Sequence, residues 1–316
     1  MATMRIVLVE PGRTARHIVT DLIQQGGDEV CAFSDGDEAL TNIANDPEVR
    51  ALITSAELAS MSGIELCKQA RALAGAQRPL YILLMSSNDE HNMLVRALDN
   101  GADDFIHKPP IAAELRARLK VADRVTSMQR ELFRYATTDF LTGLLNRRAF
   151  FDRAGEVCER AKNGSYLTAM ICDLDHFKQI NDTHGHGAGD TVLRSVAVEA
   201  ALLDGVVGRL GGEEFGIVVE SAISDAVDVA ESFRRTVAGL KLFSEEEPIE
   251  ITCSIGLAEW ETGDTIDSIL RRADMALYEA KRAGRNRIVA SDTFSIVENH
   301  EKWKGVSRSL TERSRQ

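Results

Sequence analysis

Two short acidic segments in the second half of the chain carry residue types suited to metal and phosphate chemistry. Asp173-Leu174-Asp175 directly follows the apolar, strand-like run 166–172, and Gly211-Gly212-Glu213-Glu214-Phe215 lies between two apolar runs. Because glycine adopts a positive φ without steric cost, the Gly-Gly pair predicts a tight hairpin turn that carries two carboxylates. Carboxylates at a sheet edge suit Mg²⁺ held by few protein oxygens and by nucleotide phosphates. For the hairpin alone, solvated acidic turn residues are the more ordinary explanation.

The elements around these segments decide whether the carboxylates meet. The apolar patterns predict a strand, a helix, two strands, a helix and a strand, at about 166–173, 190–203, 206–210, 215–220, 224–240 and 250–258. This is the βαββαβ order of a ferredoxin-like sheet, in which the first and third strands are antiparallel central neighbours. We therefore expect Asp173 to lie close to Glu213.

The composition limits the classes of function. The 316 residues are enough for two domains, and a formal net charge of −12 argues against nonspecific nucleic-acid binding through a basic surface. No apolar run approaches the roughly 20 residues that span a bilayer, and nothing resembles a signal peptide. The five cysteines are scattered without a CxxC pair, which is typical of reduced core residues. We therefore expect a cytoplasmic protein with no membrane or nucleic-acid partner.

Residues 4–120 alternate short apolar runs with amphipathic stretches. Strands that alternate with helices predict a parallel, doubly wound α/β sheet of the flavodoxin-like class. Three motifs in this segment resemble those of a response-regulator receiver domain. They are Ser34-Asp35-Gly36-Asp37-Glu38-Ala39-Leu40, Met61-Ser62-Gly63-Ile64-Glu65-Leu66-Cys67 and Gly101-Ala102-Asp103-Asp104-Phe105-Ile106-His107-Lys108-Pro109.

The receiver-like segment departs from this family at the residues that would carry phosphate. Receiver domains have an acidic pair after the first strand, and this chain has Glu10-Pro11 there. Ser55 stands where the phosphate-accepting aspartate is expected, and a hydroxyl cannot form an acyl phosphate. The switch hydroxyl, Ser86, and the lysine, Lys108, are retained. We therefore expect a non-phosphorylatable pseudo-receiver that serves dimerisation or responds to an unknown signalling partner or ligand.

A helical linker is predicted after the receiver-like segment. From Glu114 to about Tyr135 there is no proline or glycine, and apolar residues follow 4-3-4-3 spacing. This seam consists of Val121, Val125, Met128, Leu132 and Tyr135. About two heptads can pair with a second copy of the helix, but a helix packed on its own domain fits the pattern equally well. Further cross-chain pairs are expected among Arg96, Asp103, Asp104 and Arg118.

A series of spaced motifs between about 136 and 290 resembles a GGDEF-domain diguanylate cyclase. They are Asp139-Phe140-Leu141-Thr142-Gly143-Leu144-Leu145-Asn146-Arg147-Arg148, Asp173-Leu174-Asp175-His176-Phe177-Lys178, Asn181-Asp182, Gly185-His186, Gly189-Asp190, the hairpin 211–215, Ser254-Ile255-Gly256, Ala273-Asp274-Met275-Ala276-Leu277-Tyr278, and Ala280-Lys281 through Gly284-Arg285-Asn286. With this resemblance, we divide the chain into a degenerate receiver domain (1–120), a helical linker (121–136), a cyclase domain (137–290) and a polar tail (291–316).

The resemblance implies condensation of two GTP molecules into cyclic di-GMP with release of two pyrophosphates. Because one such domain holds one GTP, it also implies a homodimer with two sites facing each other. By the family's motif, Asp173, Glu213, Glu214 and the Leu174 carbonyl are ligands of Mg²⁺ or Mn²⁺, with two ions in each site. Asp173, Glu213 and Lys281 are the implied catalytic residues. Glu213 is also a candidate for deprotonating the attacking 3′-hydroxyl, a role that water could fill instead.

The resemblance also assigns the residues that recognise the base. Asn181 and Asp190 match the positions that read the guanine edge. An amide and a carboxylate suit its donors and acceptor, so both residues favour GTP over ATP. Without the resemblance, Asp190 would be an ordinary helix N-cap.

The expected phosphate contacts come from residues on both sides of the acidic hairpin. Lys178, Lys281 and Arg285 supply positive charge, and the backbone near Phe177 supplies amide donors. We expect structural roles for the remaining polar residues of these motifs, namely Asp175, His184 and His186.

Two alternatives from other classes compete with the cyclase. One is a catalytically silent GTP-binding scaffold or signalling adaptor, which the intact set of site residues argues against. The other is an effector that senses cyclic di-GMP. Many cyclases carry an Arg-x-x-Asp inhibitory site, but the corresponding stretch here, Ala201-Leu202-Leu203-Asp204-Gly205, has no arginine. This absence disfavours the effector and predicts weak or absent product inhibition.

Overall fold

The computed structural model describes residues 3–75, 78–87, 91–161, 165–244 and 247–291. Nearly all of the polar tail predicted at 291–316 lies outside these residues. The chain divides into two compact units, Met1–Arg134 and Tyr135–Gln316. Within the described ranges, no helix combines the length and the apolar character needed to cross a membrane.

The first unit alternates strands and helices along the described part of the chain. In order these are β1 (Arg5–Val9), α1 (Arg13–Gln25), β2 (Glu29–Phe33), α2 (Gly36–Asn45), β3 (Val49–Ser55), α3 (Gly63–Ala74), β4 (Tyr81–Ser86), α4 (His91–Asp99), β5 (Asp104–His107) and α5 (Ala112–Thr137). The strands are parallel and lie in the order β2-β1-β3-β4-β5. This confirms the predicted flavodoxin-like sheet.

Both faces of this sheet are covered by helices, which explains its apolar strands. Every residue of β3 and β4 is buried. In β1, Val7 and Val9 share a core with residues of α2 and α3, while Ile6 and Leu8 share a core with residues of α1 and α5. A parallel sheet buried on both faces gives continuous apolar runs, so these strands are recognisable from the sequence.

Helix α5 packs one face on the first unit and exposes another. Leu115 and Leu119 are buried in the core of that unit, and Val125 packs against the same core. The other four residues of the predicted seam are exposed, namely Val121, Met128, Leu132 and Tyr135. Packing on the chain's own domain therefore accounts for Val125, whereas most of the seam lies on the surface.

Three of the four charged residues expected to pair across two copies, Asp103, Asp104 and Arg118, have partners within the chain. Arg118 binds Asp104 at 2.6 Å, and Arg71 binds Asp103 at 2.5 Å. Both aspartates are therefore already engaged in the first unit, which weakens the expectation of cross-chain pairs.

The second unit combines helices with a mainly antiparallel sheet. Its described elements are α6 (Arg147–Ala161), β6 (Thr168–Leu174), α7 (Phe177–His184), α8 (His186–Ala200), β7 (Val206–Gly211), β8 (Glu214–Val219), α9 (Ile223–Ala238), β9 (Leu242–Ser244), β10 (Glu247–Ile249), β11 (Cys253–Glu259), α10 (Ile266–Arg282) and β12 (Ile288–Ala290). The main sheet has the order β12-β11-β6-β8-β7, and β9 pairs with β10 separately. Strand β6 is antiparallel to both β8 and β11, as the ferredoxin-like order predicts.

The structure corrects the predicted bounds of two elements, α8 and β11. Helix α8 begins at His186 and ends at Ala200, whereas the sequence pattern predicts 190–203. The reason is Gly185, which has a φ of 80° and both ends α7 and begins α8. Strand β11 begins at Cys253, three residues later than the predicted start at 250. The three-residue strands β9, β10 and β12 are additions that the pattern did not predict.

Side-chain alternation decides which face of the second sheet carries the carboxylates. Cys172 and Leu174 pack in a core with residues of α7, α8 and α9, so Asp173 between them faces the opposite side, where α6 and α10 pack. Phe215 lies in the same core as Cys172, so its neighbour Glu214 shares the side of Asp173. The period of two in a strand thus directs both carboxylates toward α6 and α10.

Candidate functional site

Two acidic side chains lie directly opposite each other where β6 pairs with β8. Asp173 is the register partner of Glu214, and the N–H of Leu174 donates to the carbonyl of Glu213 at 3.4 Å. The expected proximity of Asp173 to the acidic hairpin is thus present, although the paired residue is Glu214. Glu213 occupies the turn between β7 and β8.

The environment of these carboxylates disfavours their charged forms. Burial raises the pKa of Asp173, more than the hydrogen bond from Lys281 lowers it, and the charge of Glu213 raises it further. Burial also raises the pKa of Glu214, and repulsion by Asp173 and Asp274 adds to the rise. Like charges directly opposite on antiparallel strands destabilise a sheet, so this pair needs a compensating cation.

Lys281 supplies part of that positive charge. Its Nζ lies 2.7 Å from Oδ2 of Asp173, near the end of α10. The sequence assigned Lys281 to nucleotide phosphates, and the structure places its ammonium group on a carboxylate of the same site. Asp274 lies two turns earlier on α10, and burial raises the pKa of its carboxyl group. The face of α10 toward the sheet therefore carries charge of both signs.

The residues present fit a divalent cation that prefers oxygen ligands. Asp173, Glu213, Glu214 and the carbonyl of Leu174 are all hard donors, and opposed carboxylates are stabilised by a cation between them. Within the described part of the chain, no cluster of three or more His, Cys, Asp or Glu side chains is arranged to hold a metal ion alone. A cation here would therefore depend on water and ligand oxygens for part of its coordination.

Asp175 ties together three segments around the site. Its side chain is buried and accepts hydrogen bonds from the hydroxyls of Thr252 and Ser254, both at 2.7 Å. It also accepts a bond from the backbone N–H of Asn286 at 3.0 Å. These contacts agree with the structural role expected for Asp175, and they anchor the loop that carries Arg285.

Backbone strain is concentrated around this site. Among the described residues, the non-glycine residues with positive φ are His176 (57°), Arg285 (63°) and Asn286 (46°). His176 directly precedes α7, and the other two form the loop held by Asp175. Such conformations cost free energy and are typical of functional sites. The sequence pattern did not predict this strain.

The residues assigned to the base lie on α7 and α8. Asn181 is on α7, and its side-chain oxygen lies against Gly189 of α8. Asp190 follows Gly189 and lies more than one turn inside α8, whose N-cap is Gly185. The N-cap alternative for Asp190 therefore does not apply. Its carboxylate lies 3.7 Å from Arg194 on the same helix.

The remaining predicted contacts occupy neighbouring positions. Phe177 is buried and opens α7, while Lys178 beside it is exposed. Arg285 is exposed on the loop after α10. His184, at the end of α7, lies 3.9 Å from Glu247, and its structural role stays a prediction.

Sequence reasoning missed an arginine that supports the acidic hairpin. Arg209 donates to the carbonyl of Gly212 at 2.9 and 2.7 Å through Nε and Nη2, and to Oδ1 of Asp139 at 3.0 Å through Nη1. Its position two residues before the Gly-Gly pair is the one signal that could have identified it. Arg147 also lowers the pKa of Glu214, against the stronger effect of burial.

Three polar side chains of the first unit, Glu10, Ser55 and Lys108, bind one another. Lys108 donates to Glu10 and, at 2.5 Å, to the hydroxyl of Ser55. Glu10, Ser55 and Ser86 are all buried. The ammonium group of Lys108 thus joins the residue that follows β1 to the last residue of β3.

Comparison with protein families matches both units. Residues 136–287 match the family described as diguanylate cyclase, GGDEF domain. Residues 6–120 match the response regulator receiver domain.

Two curated proteins are similar to this chain over much of its length. The chain is 32% identical over 306 residues to the response regulator PleD of Caulobacter vibrioides, which covers 90% of this chain and 65% of that relative. It is 34% identical over 220 residues to the diguanylate cyclase DgcP of Pseudomonas aeruginosa, which covers 65% of this chain and 31% of that relative. The chain therefore spans about two thirds or less of the length of these curated relatives.

A solved structure supports the assignment of the second unit. The coiled coil and GGDEF domain of DgcB from Caulobacter crescentus, in complex with c-di-GMP, matches with 38% identity and a TM-score of 0.52. The match covers 56% of this chain and 97% of that one. The chain belongs to the GGDEF family, and it carries a response regulator receiver domain before its GGDEF domain.

Proposed function

We propose that this protein is a diguanylate cyclase, which condenses two GTP molecules into cyclic di-GMP and releases two pyrophosphates. The observation that carries the proposal is the opposed pair Asp173 and Glu214 with Lys281 bound to it at the edge of the sheet. The names of the relatives DgcP and PleD, and the c-di-GMP in the DgcB structure, agree with it.

The acidic side chains would hold Mg²⁺ or Mn²⁺, two ions in each site. We assign Asp173, Glu213, Glu214 and the Leu174 carbonyl as the ligands. Bound there, the metal would supply Lewis acidity toward the α-phosphate and the attacking 3′-hydroxyl. Glu213 lies in the turn, outside the ladder, and we assign it to accept the proton of that hydroxyl directly or through one water.

The positively charged residues would position the triphosphate. Lys281 lies at the centre of the site, and Lys178 and Arg285 are exposed on either side of it in the sequence. Their cationic groups would neutralise the β- and γ-phosphates as the pyrophosphate leaves. Phe177 opens α7, so backbone N–H groups in the first turn of that helix are available to phosphate oxygens.

Asn181 and Asp190 would select the base. The amide donates to O6 of guanine, and the carboxylate accepts from its N1–H and N2–H groups. Adenine presents neither pattern, so ATP would leave both side chains unpaired.

Each site would act on one GTP, so we propose that the cyclase is a homodimer with two sites facing each other. We assign 137–290 to the cyclase domain, 121–136 to the linker, 291–316 to the tail and 1–120 to the pseudo-receiver. The bonds from Lys108 to Glu10 and Ser55 support a receiver that accepts no phosphate and regulates the dimer in another way. We propose a cytoplasmic location, where its substrate GTP is present.

The proposal is tested by turnover of GTP with Mg²⁺, with chromatographic separation of the products. We expect cyclic di-GMP from the unaltered protein and a fall of at least about 100-fold for Glu213→Gln, since general acid–base and metal-ligand roles are each worth about that much. Glu220→Gln is the matched control, because Glu220 is exposed just after β8 of the same hairpin and forms an ion pair with Arg160, away from the site.

The outcomes separate the proposal from its alternatives. Equal turnover by both variants would contradict the assignment of Glu213. GTP binding without any product, at every protein concentration, would support a silent scaffold or signalling adaptor. Weak or absent product inhibition stays a prediction. The stretch that corresponds to the inhibitory site begins at Ala201, in the short connection between α8 and β7.

A further inference from the structure

Gly189 lies in closer contact with a base-reading side chain than any other amino acid would permit. A Cβ placed on Gly189 would lie 2.0 Å from Oδ1 of Asn181 and 3.0 Å from its Cγ. It would also lie 3.1 Å from Cζ of Phe177. Contacts below about 3 Å are not tolerated by real Cβ atoms, so the amide oxygen of Asn181 occupies the space that any side chain would need.

We infer that Gly189 is a specificity-determining residue, because it sets the spacing between the two side chains that read guanine. Asp190 is its neighbour in α8, and Asn181 reaches it from α7. With glycine between them, the amide of Asn181 and the backbone that carries Asp190 approach as closely as two helices permit. This inference rests on the proposed function, and it adds the residue that fixes the distance between the two readers.

The surrounding residues leave one way to relieve a collision at Gly189. Gly189 is buried, and α8 is fixed to the sheet by its buried residues Val192, Leu193 and Val196. Phe177 is buried in the same core. Asn181 is only half-buried, so its side chain is the group that can rotate away. A methyl group at position 189 would therefore displace the amide from the base, and the helices would stay in place.

A second glycine in the same helix provides a matched control. Gly187 is two residues earlier in α8, is exposed, and has no heavy atom within 4 Å of its ideal Cβ position. Alanine in a helix is favoured over glycine by about 0.5–1 kcal/mol, so Gly187→Ala should leave the fold intact or stabilise it. The two substitutions add the same methyl group to the same turn of the helix and differ in what that group meets.

The experiment measures nucleotide binding by calorimetry with Mg²⁺. The probes are 3′-deoxy-GTP, which lacks the attacking hydroxyl, 3′-deoxy-ATP, and inorganic triphosphate. For Gly189→Ala we expect binding of 3′-deoxy-GTP to weaken at least about 10-fold, because a misplaced amide leaves polar groups of the base unpaired. Binding of inorganic triphosphate should stay within about 2-fold of the unaltered protein. Gly187→Ala should change neither affinity.

A double substitution tests whether Gly189 acts through Asn181. In an Asn181→Ala background the colliding amide is gone, so Gly189→Ala should cost little further affinity, and the two effects should be non-additive. Should Gly189→Ala alone fail to fold by circular dichroism, recovery of folding in the double variant would support the collision with Asn181. Failure of both to fold would overturn the inference, since Gly189 would then serve packing only.

The failure of this inference and that of the proposed function have different signatures. If the unaltered protein binds 3′-deoxy-ATP as tightly as 3′-deoxy-GTP, guanine recognition by Asn181 and Asp190 is wrong, and the inference is overturned with it. If the unaltered protein prefers 3′-deoxy-GTP but Gly189→Ala behaves like Gly187→Ala, the proposed function stands and only the role of Gly189 is overturned.

Discussion

Arg209 holds the acidic hairpin in place from two directions. Its guanidinium donates to the carbonyl of Gly212, whose φ of 51° places that residue in the left-handed region, and to the carboxylate of Asp139. The side chains of Arg209 and Asp139 are only 13% and 17% exposed. Asp139 also accepts bonds from the N–H and hydroxyl of Thr142. Arg209 thus joins the turn that carries Glu213 to the first loop of the second unit.

We predict that Arg209→Met lowers the free energy of unfolding of the second unit by about 2 kcal/mol, because it leaves a largely buried carboxylate and a carbonyl without their donor. The sequence of the first unit contains no tryptophan and Trp260 belongs to the second unit, so urea denaturation followed by tryptophan fluorescence reports the stability of the second unit. Arg148→Met is the control, since Arg148 is 89% exposed, and should change the value by less than about 0.5 kcal/mol.

The same prediction includes a pH dependence with a defined sign. Burial alone would raise the pKa of Asp139, but hydrogen bonds from Thr142 and Arg209 outweigh it, and the pKa is lowered. Ionised Asp139 therefore stabilises the folded state above its unfolded pKa of about 3.9, and this contribution is lost as the pH falls through the lower folded pKa. Asp139→Asn should be less stable than the unaltered protein at pH 7, and the difference should shrink below about pH 4. A constant difference across this range would contradict the interpretation.

Sequence reasoning at the residue scale predicted the cluster but not its register. The strand order brings Asp173 to the acidic hairpin, where its partner in the register of β6 and β8 is Glu214, while Glu213 lies in the turn. The pairing of β7 with β8 is irregular between Arg209 and Gly211. A shift of one residue reverses the face of every side chain in a strand, and such irregularities depend on tertiary packing. The bond of Lys281 to Asp173 joins distant parts of the chain, so it was also beyond the reach of local patterns.

At the scale of elements, a buried arginine adds polar contacts to the apolar packing of α5 on the first unit. Arg50, near the start of β3, donates to the hydroxyl of Thr126 at 3.2 and 2.7 Å and to that of Ser127 at 2.7 Å. It also forms an ion pair with Asp123 at 2.8 Å. The side chain of Arg50 is 9% exposed, and Thr126 is fully buried. This contact fixes the rotation of α5 about its axis, and hence which apolar residues it exposes.

We predict that Arg50→Met loosens the middle of α5, because Asp123, Thr126 and Ser127 lose their donor and Thr126 is fully buried. Amide hydrogen exchange followed by mass spectrometry should show faster exchange in residues 121–130, by about 10-fold or more if the loss is about 1.4 kcal/mol or larger. The control is Arg130→Met, which removes an arginine from the same helix. Arg130 pairs with Glu48, whose side chain is 64% exposed, so the lost partner remains in water. Unchanged exchange in Arg50→Met would show that apolar packing alone holds the helix.

The linker shows what an apolar period can and cannot predict. The 4-3-4-3 pattern correctly predicted a helix, since α5 continues from Ala112 to Thr137. The pattern could not tell which surface would cover each residue, and the structure divides the seam between Val125, packed on the core, and four exposed residues. An apolar period shows which residues share one face of a helix, but it does not show which surface packs against that face.

At the scale of the molecule, the order of elements was the strongest signal. Alternating strands and helices specify a parallel sheet, and the order βαββαβ specifies an antiparallel one with the first strand at its centre; both sheets have these arrangements. The short strands β9, β10 and β12 escaped prediction because three residues give too little pattern and depend on a neighbouring strand. The order of the long helices and strands is thus easier to predict from the sequence than the short strands that pair beside them.

The proposed cyclase would need two copies of the chain, and the exposed part of the seam on α5 is the surface that we expect to join them. Met128 and Leu132 are 57% and 65% exposed on one face of α5, and a second copy of the helix would bury both. We predict that GTP turnover per molecule rises with protein concentration, and that Leu132→Glu shifts this rise to at least about 10-fold higher concentration, since a charge in an apolar seam opposes pairing. Sedimentation velocity should show the same shift from dimer to monomer.

Leu73→Glu is the control, because Leu73 is a leucine of α3 with 48% exposure that lies off this seam. If turnover per molecule is independent of concentration in both variants, or if Leu73→Glu has the same effect as Leu132→Glu, the seam of α5 does not assemble the two sites.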